Sequence, residues 1–437
     1  MIELKGKYTN AKIFNDNVEE EALSQVYNII SNEAFDGQTV RCMPDIHAGK
    51  GITIGFCGTL GKYVCPSHVG VDIGCTVSMD ILDKPIPLDK YADFNHKILQ
   101  QIGFGFDLSP HHAYSDRDLY DYLTGECCKA KSAHPDLFYG LPDKVTQEWI
   151  TEFCKRINIR EKVFYSSINS VGSGNHFIEY DESEDGSICG VTVHTGSRNL
   201  GKRVCEYWEE LAEKGLSKKE IKELTNEFKQ EYEATHDNMR NFKEDLNTYL
   251  ETKKVGLIKG YLTSEKMDGY FCDMVVAMAY AKFNHITVHK TIEKILKTYD
   301  IKVVDRIVST HNYIDFSGAV PIIRKGAIRA YKGEKMLVPF NMRDGIAICE
   351  GKSNEDWLYS CAHGAGRKMS RSKAKESLSM TEFTTTMEGI YSTTVCPETI
   401  DEAPMAYKDT EEIKEIIKDT CEINYMVVPK INIKATK

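Results

Sequence analysis

Strand-like text occurs in blocks far apart along this chain, and helical text fills the intervals between them. Residues 39–81 alternate short apolar runs with Gly, Pro, Asp and His, the pattern of strands joined by tight functional loops. Strand-and-turn text returns over residues 163–193 and 301–349, and a last strand is predicted near 426–433. A short strand over 11–14 and a helix over 18–31 open the chain. Residues 86–160 read as mostly helical, and 202–250 show helical periodicity with Glu/Lys pairs. A long helix is predicted over 264–298. No repeat and no low-complexity linker divides the text. These features predict one large α+β domain over 1–437, with sheets assembled from distant segments around a central cleft and a helical insertion at about 202–298.

Composition narrows the function classes. A hydrophobic share of 41% and a charged share of 27% are those of a globular protein. No apolar run is long enough to span a membrane, and MIELKGKYTNAKIF lacks the apolar centre of a signal peptide. Fourteen cysteines without a tight spacing pattern read as reduced thiols, so a cytoplasmic location is expected. The net charge of −10 excludes a general basic coat for nucleic acid, so any polyanion site is a local basic pocket.

One such place is SCAHGAGRKMSRSKAK (360–375). His363 stands among small residues, and Gly364 and Gly366 let the backbone approach a ligand closely. Arg367, Lys368, Arg371, Lys373 and Lys375 follow, cations suited to phosphate. A ring nitrogen beside bound phosphates can serve as a nucleophile. The same residues also suit a glycine loop with a hydrogen-bonded histidine and a solvated basic helix.

Candidate metal ligands are Asp72 and Cys75 in VGVDIGC, His176 in GSGNHFIE, His194 in VHTGSR and His311 in STHNYIDF. Each stands at the edge of an apolar run beside a small residue, where strand ends can converge on a cleft. Thiolate and imidazole favour zinc-like metals, and a carboxylate admits manganese or magnesium. A bridging thiolate would let the set hold two ions, an arrangement suited to phosphoryl chemistry. Taken singly, each residue fits an ordinary core or hydrogen-bonded role better than a ligand's.

Seven blocks occur in one order: MPDIHAGKGITIG (43–55), VGVDIGC (69–75), GSGNHFIE (172–179), HTGSRNLG (194–201), HNYIDF (311–316), HGAGRKMSRSKAK (363–375) and DEAPMAYKD (401–409). Together they resemble the RtcB family of RNA ligases over nearly the whole chain. The resemblance implies a GTP- and Mn(II)-dependent ligase joining RNA 2′,3′-cyclic phosphate or 3′-phosphate ends to 5′-hydroxyl ends, in RNA repair or tRNA splicing. It makes His363 the guanylylated nucleophile and Cys75 the shared ligand of two manganese ions, with zinc as the alternative metal. Asp72, His176, His194 and His311 complete the shells, so the cleft is expected to be metal-lined.

The resemblance also places Asn175, Phe177, Glu179, Tyr407 and Lys434 on the nucleotide, with Gly364 and Gly366 beside it. Arg198 is assigned to an RNA phosphate or the γ-phosphate, and Asp45 and His47 to proton transfer or RNA placement. An archease-like activating partner is admitted too. The chain departs from the family at Phe340-Asn341-Met342-Arg343-Asp344-Gly345, where many members carry GSMG. Asn341 then stands where a serine contacts guanine, and asparagine both donates and accepts. Arg343 and Asp344 add charge beside the pocket.

Two other classes remain as alternatives. A metal-dependent 2′,3′-cyclic phosphodiesterase would use the metal ligands with Asp45 or His47, but leaves HGAGR, Tyr407 and Lys434 without a task. A non-catalytic RNA-binding factor would use the basic residues around 324–329 and 367–375, but needs no intact ligand set.

Overall fold

The structure is a computed structural model that describes residues 1–436 except 107, 108, 110–112, 217, 237 and 254–257. Two large sheets organise a single α+β domain. The first has the order Ile2–Lys5, Asn10–Ile13, Val40–His47, Ile54–Thr59, Ile322–Lys325, Asn312–Asp315. The second runs Val303–Thr310, Thr76–Leu82, Cys189–Thr195, Phe177–Ser183, Cys421–Ile433, Gly345–Gly351, Lys335–Asn341. Each sheet joins segments more than two hundred residues apart, Ile54–Thr59 with Ile322–Lys325 in the first and Thr76–Leu82 with Val303–Thr310 in the second.

The long helix Ser264–Lys297 fixes this arrangement from behind. Phe271, Ala277, Tyr280, Val288 and Leu296 are all buried, and so are Asn284, His285 and His289. A helix buried nearly all round behaves as core. It packs against the helices Asp116–Ala133 and Arg198–Lys214 and against the strand Cys189–Thr195. It matches the expected helix over 264–298 within one residue.

Two expectations change. Strand is expected from 163, but Glu161–Ser166 is a short helix that buries Phe164, and strand begins only at Ser170. The last strand starts earlier than expected, at Cys421, because that end pairs with Gly351 through a register shift. No helix among the described residues is long and apolar enough to cross a membrane.

Candidate functional site

The candidate metal ligands meet where strands end. Cys75 precedes the strand Thr76–Leu82, and His194 lies next to last in Cys189–Thr195. Pairing of Val77 with His194, of Phe177 with His194 and of Thr76 with Thr310 brings Cys75, His176 and His311 alongside. The Cys75 thiol lies 3.2 Å from Nε2 of His176 and 3.2 Å from Nε2 of His194. Asp72 Oδ2 lies 2.9 Å from His176 Nε2, and His311 Nε2 lies 3.3 Å from His194 Nε2. The ligand atoms of Cys75, His176 and His194 fall within 4.8 Å of one another.

The protonation of this group follows from its surroundings. The His194 Nδ1–H donates to the Asn175 carbonyl at 3.0 Å, leaving the Nε2 lone pair toward Cys75. Burial, then the neighbouring imidazoles, holds His194 far below the ordinary histidine range; burial and the nearby His363 do the same for His311. Burial and the Asp72 charge push the Cys75 thiol up. A cation at the shared point would oppose both influences by stabilising the thiolate. Behind the group, His285 donates from Nε2 to the Thr195 carbonyl at 2.9 Å.

His363 stands beside this group, with its ring centroid 4.9 Å from that of His311. It follows the strand Ser360–Ala362, which pairs with Ala327–Arg329. Asp45 Oδ2 accepts from His363 Nδ1–H at 2.6 Å and from the His363 main-chain N–H at 3.2 Å. Nε2 is therefore the ring nitrogen that carries the lone pair. Gly366, at φ +74°, closes the loop: a Cβ there would lie 2.1 Å from the Asp45 carbonyl oxygen. Only glycine permits that approach.

A cavity of about 660 Å³ opens over His363 and is walled on one side by Asp72, His194 and His311. Phe177 and Glu179 line it from the strand that follows His176 and Asn175 from the turn before it, with Gly364 and Gly366 at the loop. Tyr407 and Lys434 close the far side. The Lys434 ammonium sits 5.4 Å from the Phe177 ring centroid. Asn341 also lines the cavity, but its amide is already engaged. It donates to Asp344 Oδ2 at 2.7 Å and accepts from the main-chain N–H groups of Arg343 and Asp344. Asp344 in turn pairs with Arg343 at 2.6 Å and accepts from Thr410.

Glu402, which the sequence analysis did not single out, anchors this far wall. It accepts from Tyr407 Oη at 2.6 Å and pairs with Lys434, Arg367 and Arg371. Burial opposes its charge, but Lys434, Arg371 and Arg367 outweigh burial and lower the carboxyl to about 2. Its only sequence signal was its place in the same block as Tyr407.

Several cations are placed differently from expectation. Arg198 is not among the residues lining the cavity; it lies beside His176 and donates to the Gly105 carbonyl at 2.6 Å and to Ser170 Oγ at 3.0 Å. Arg324 is fully buried and pairs with Asp315 at 2.7 Å, so it offers nothing to RNA. Arg367 and Arg371 line the cavity but are already paired with Glu402 and Asp401, Arg371 remaining exposed, as do Lys368 and Lys373. His47 was open to either protonation state; burial lowers it to about 4, and its Nδ1–H donates to the Asp45 carbonyl at 2.9 Å. It is therefore a neutral base at neutral pH.

A family model described as "tRNA-splicing ligase RtcB" matches residues 25–435. The chain is a member of the RtcB family. It is 27% identical over 435 residues to an RNA-splicing ligase RtcB of Escherichia coli K12, covering 95% of each chain. It is 24% identical over 464 residues to a tRNA-splicing ligase RtcB of Archaeoglobus fulgidus, covering 92% of this chain and 88% of that one. An RNA-splicing ligase RtcB homolog 1 of Entamoeba dispar is 24% identical over 429 residues, covering 85% of this chain and 74% of its own. The matched residues 25–435 include the cysteine–histidine group and His363.

Proposed function

We propose that this chain is an RNA ligase that uses GTP and Mn(II) to join RNA 3′-phosphate or 2′,3′-cyclic phosphate ends to 5′-hydroxyl ends. The observation that carries this reading is the placement of His363. Asp45 occupies its Nδ1, Nε2 is left as the nucleophilic nitrogen, and the ring borders both His311 and the cavity.

The donor set fits the metal the family implies. Sulfur, carboxylate oxygen and imidazole nitrogens converge, and the far nitrogens of His176 and His311 have no partner among the described residues. Asp72, Cys75, His176, His194 and His311 would hold the ions. When bound, two Mn(II) ions supply charge neutralisation and Lewis-acid polarisation to the triphosphate.

The chain's own residues do the rest. Tyr407, Lys434 and Phe177 frame the part of the cavity suited to guanine and ribose, and the engaged Asn341 amide narrows it. His363 Nε2 attacks the α-phosphorus of GTP; the N–P bond forms, the bond to the β-phosphate oxygen breaks, and pyrophosphate leaves. The Nδ1 proton stays on His363 against Asp45. An RNA 3′-phosphate oxygen then takes the guanylyl group from Nε2, and the 5′-hydroxyl attacks that phosphate and expels GMP. His47, neutral and beside Asp45, suits the base that takes a proton during opening of a cyclic phosphate or attack by the hydroxyl. An archease-like activator belongs to the turnover step of this scheme.

The test supplies purified protein with Mn(II), GTP and two RNAs, one ending in a 2′,3′-cyclic phosphate and one beginning with a 5′-hydroxyl. A joined product that requires GTP is expected. Opening of cyclic phosphate ends without any joining would instead favour the phosphodiesterase.

A further inference from the structure

We propose that Lys408 is a positioning residue for the reaction: its ammonium holds the backbone bulge that aims the Asp45 carboxylate at His363. The proposal rests on the reading of His363 as the nucleophile and deepens it.

The need for such a clasp begins in the sheet. The strands Val40–His47 and Ile54–Thr59 pair at Cys42 with Phe56 and next at His47 with Ile54. Residues 43–46 therefore stand opposite Gly55 alone, a wide bulge that turns Asp45 out of the ladder. Gly55 has φ +85°, and a Cβ there would lie 3.1 Å from Asp45 Oδ1 and 3.2 Å from Ile46 Cα. A bulge leaves carbonyls without ladder partners, and buried carbonyls require donors from elsewhere.

Lys408 supplies them. Its Nζ donates to the Ile46 carbonyl at 2.7 Å and to the Pro44 carbonyl at 3.2 Å, one on each side of Asp45. Asn15 gives Pro44 a second donor at 2.9 Å. The main-chain N–H of Lys408 donates to the Gly366 carbonyl at 3.0 Å, in the loop that carries His363. One residue thus ties together both sides of the Asp45–His363 contact.

The choice of a lysine is informative. Lys408 is 8% exposed and forms no ion pair among the described residues. Burying an ammonium on carbonyls alone is costly where a neutral donor would close the same bonds. Among the charges around it, Asp45 acts on it most strongly, ahead of Glu412 and Glu19. The cation therefore serves Asp45. It keeps the carboxylate fixed as an acceptor, and the carboxylate keeps the proton of His363 on Nδ1.

The test uses full-length protein with nitrogen-15 histidine, the His363 signals being assigned by their loss in His363→Gln. Wild type is expected to show a protonated Nδ1 and a bare Nε2. Lys408→Met is expected to mix the tautomers of His363 and to slow covalent protein–GMP formation by roughly tenfold to a hundredfold. The GTP concentration for half-maximal rate is expected to stay within about twofold, since the residue acts on orientation rather than on nucleotide contact. Lys408→Arg, which can reach the same carbonyls, should restore the wild-type tautomer. Where Lys408→Met does not fold, Lys408→Gln keeps a polar side chain of similar reach and is expected to lose the wild-type pattern. Wild-type signals and rate in a folded Lys408→Met or Lys408→Gln protein would overturn the proposal. Absence of protein–GMP in wild type would overturn the nucleophile reading instead, and the tautomer signals would still decide the part played by Lys408.

Discussion

Asp45 and His363, 318 residues apart in sequence, meet through one carboxylate oxygen that accepts from both the Nδ1–H and the main-chain N–H of the histidine. The carboxylate thereby sets both the tautomer and the ring orientation. Asp45→Asn keeps the shape but offers an amide that can donate as well as accept, so it stops specifying Nε2 as the bare nitrogen. Covalent protein–GMP formation should fall by about a hundredfold to ten-thousandfold, with little change in melting temperature. Single-turnover labelling beside a thermal melt checks both halves.

Cys75 is the donor that both His176 and His194 approach at 3.2 Å, so removing its sulfur should disperse the group. Supporting groups around a metal ligand typically contribute about tenfold to a hundredfold in affinity, and a ligand at least as much. Cys75→Ala should therefore weaken Mn(II) binding by more than about tenfold. Calorimetric titration without GTP or RNA reads this directly.

Glu402 is a buried anion shared by Tyr407, Lys434, Arg367 and Arg371. Glu402→Gln leaves buried cations uncompensated and should lower stability by about 3–5 kcal/mol at neutral pH. The carboxyl is lowered from 4.5 to about 2 in the folded chain. The unfolded chain thus binds the proton first, and the stabilisation is complete above pH 4.5 and lost as pH falls toward 2. The difference between wild type and Glu402→Gln in urea unfolding should shrink across that window.

His68 is a second source of acid sensitivity, one residue before the cavity-lining Val69. It is buried among Phe35, Phe56 and Tyr261, and burial, then Lys325, lowers it from 6.5 to about 3. Below pH 6.5 the unfolded chain binds a proton that the folded chain refuses, so stability falls as pH drops from 6.5 toward 3. His68→Phe removes that group and should flatten the fall by up to about 1.4 kcal/mol per pH unit. Urea midpoints for the two proteins between pH 4 and pH 7 measure the difference.

The sequence carries much of this organisation. The helix Ser264–Lys297 was visible from its length and apolar content, whereas the ligand set rested on the ordered blocks that resemble the RtcB family. The family match accounts for the order of those blocks. What stayed hidden depends on contacts between distant side chains. Arg367 and Arg371 line the cavity, but nothing local reveals that Asp401 and Glu402 fold back upon them. Arg198 looked available, yet it is bound by a carbonyl and a hydroxyl from other segments. The helix Glu161–Ser166 was missed because a short apolar run has no periodicity to separate strand from helix. Lys408 looked like one more charged residue, since the bulge that gives it a task appears only in the register of two strands.

The most direct measurement of the central claim is labelling of the protein by GTP carrying a radioactive α-phosphate. Wild type, His363→Ala and Cys75→Ala are incubated with Mn(II) and separated under denaturing conditions. Label that survives alkali but not acid on wild type, and is absent from His363→Ala, is the predicted result, with Cys75→Ala unlabelled or nearly so. Unlabelled wild type, or label retained on folded His363→Ala, would contradict the assignment of His363 as the nucleophile.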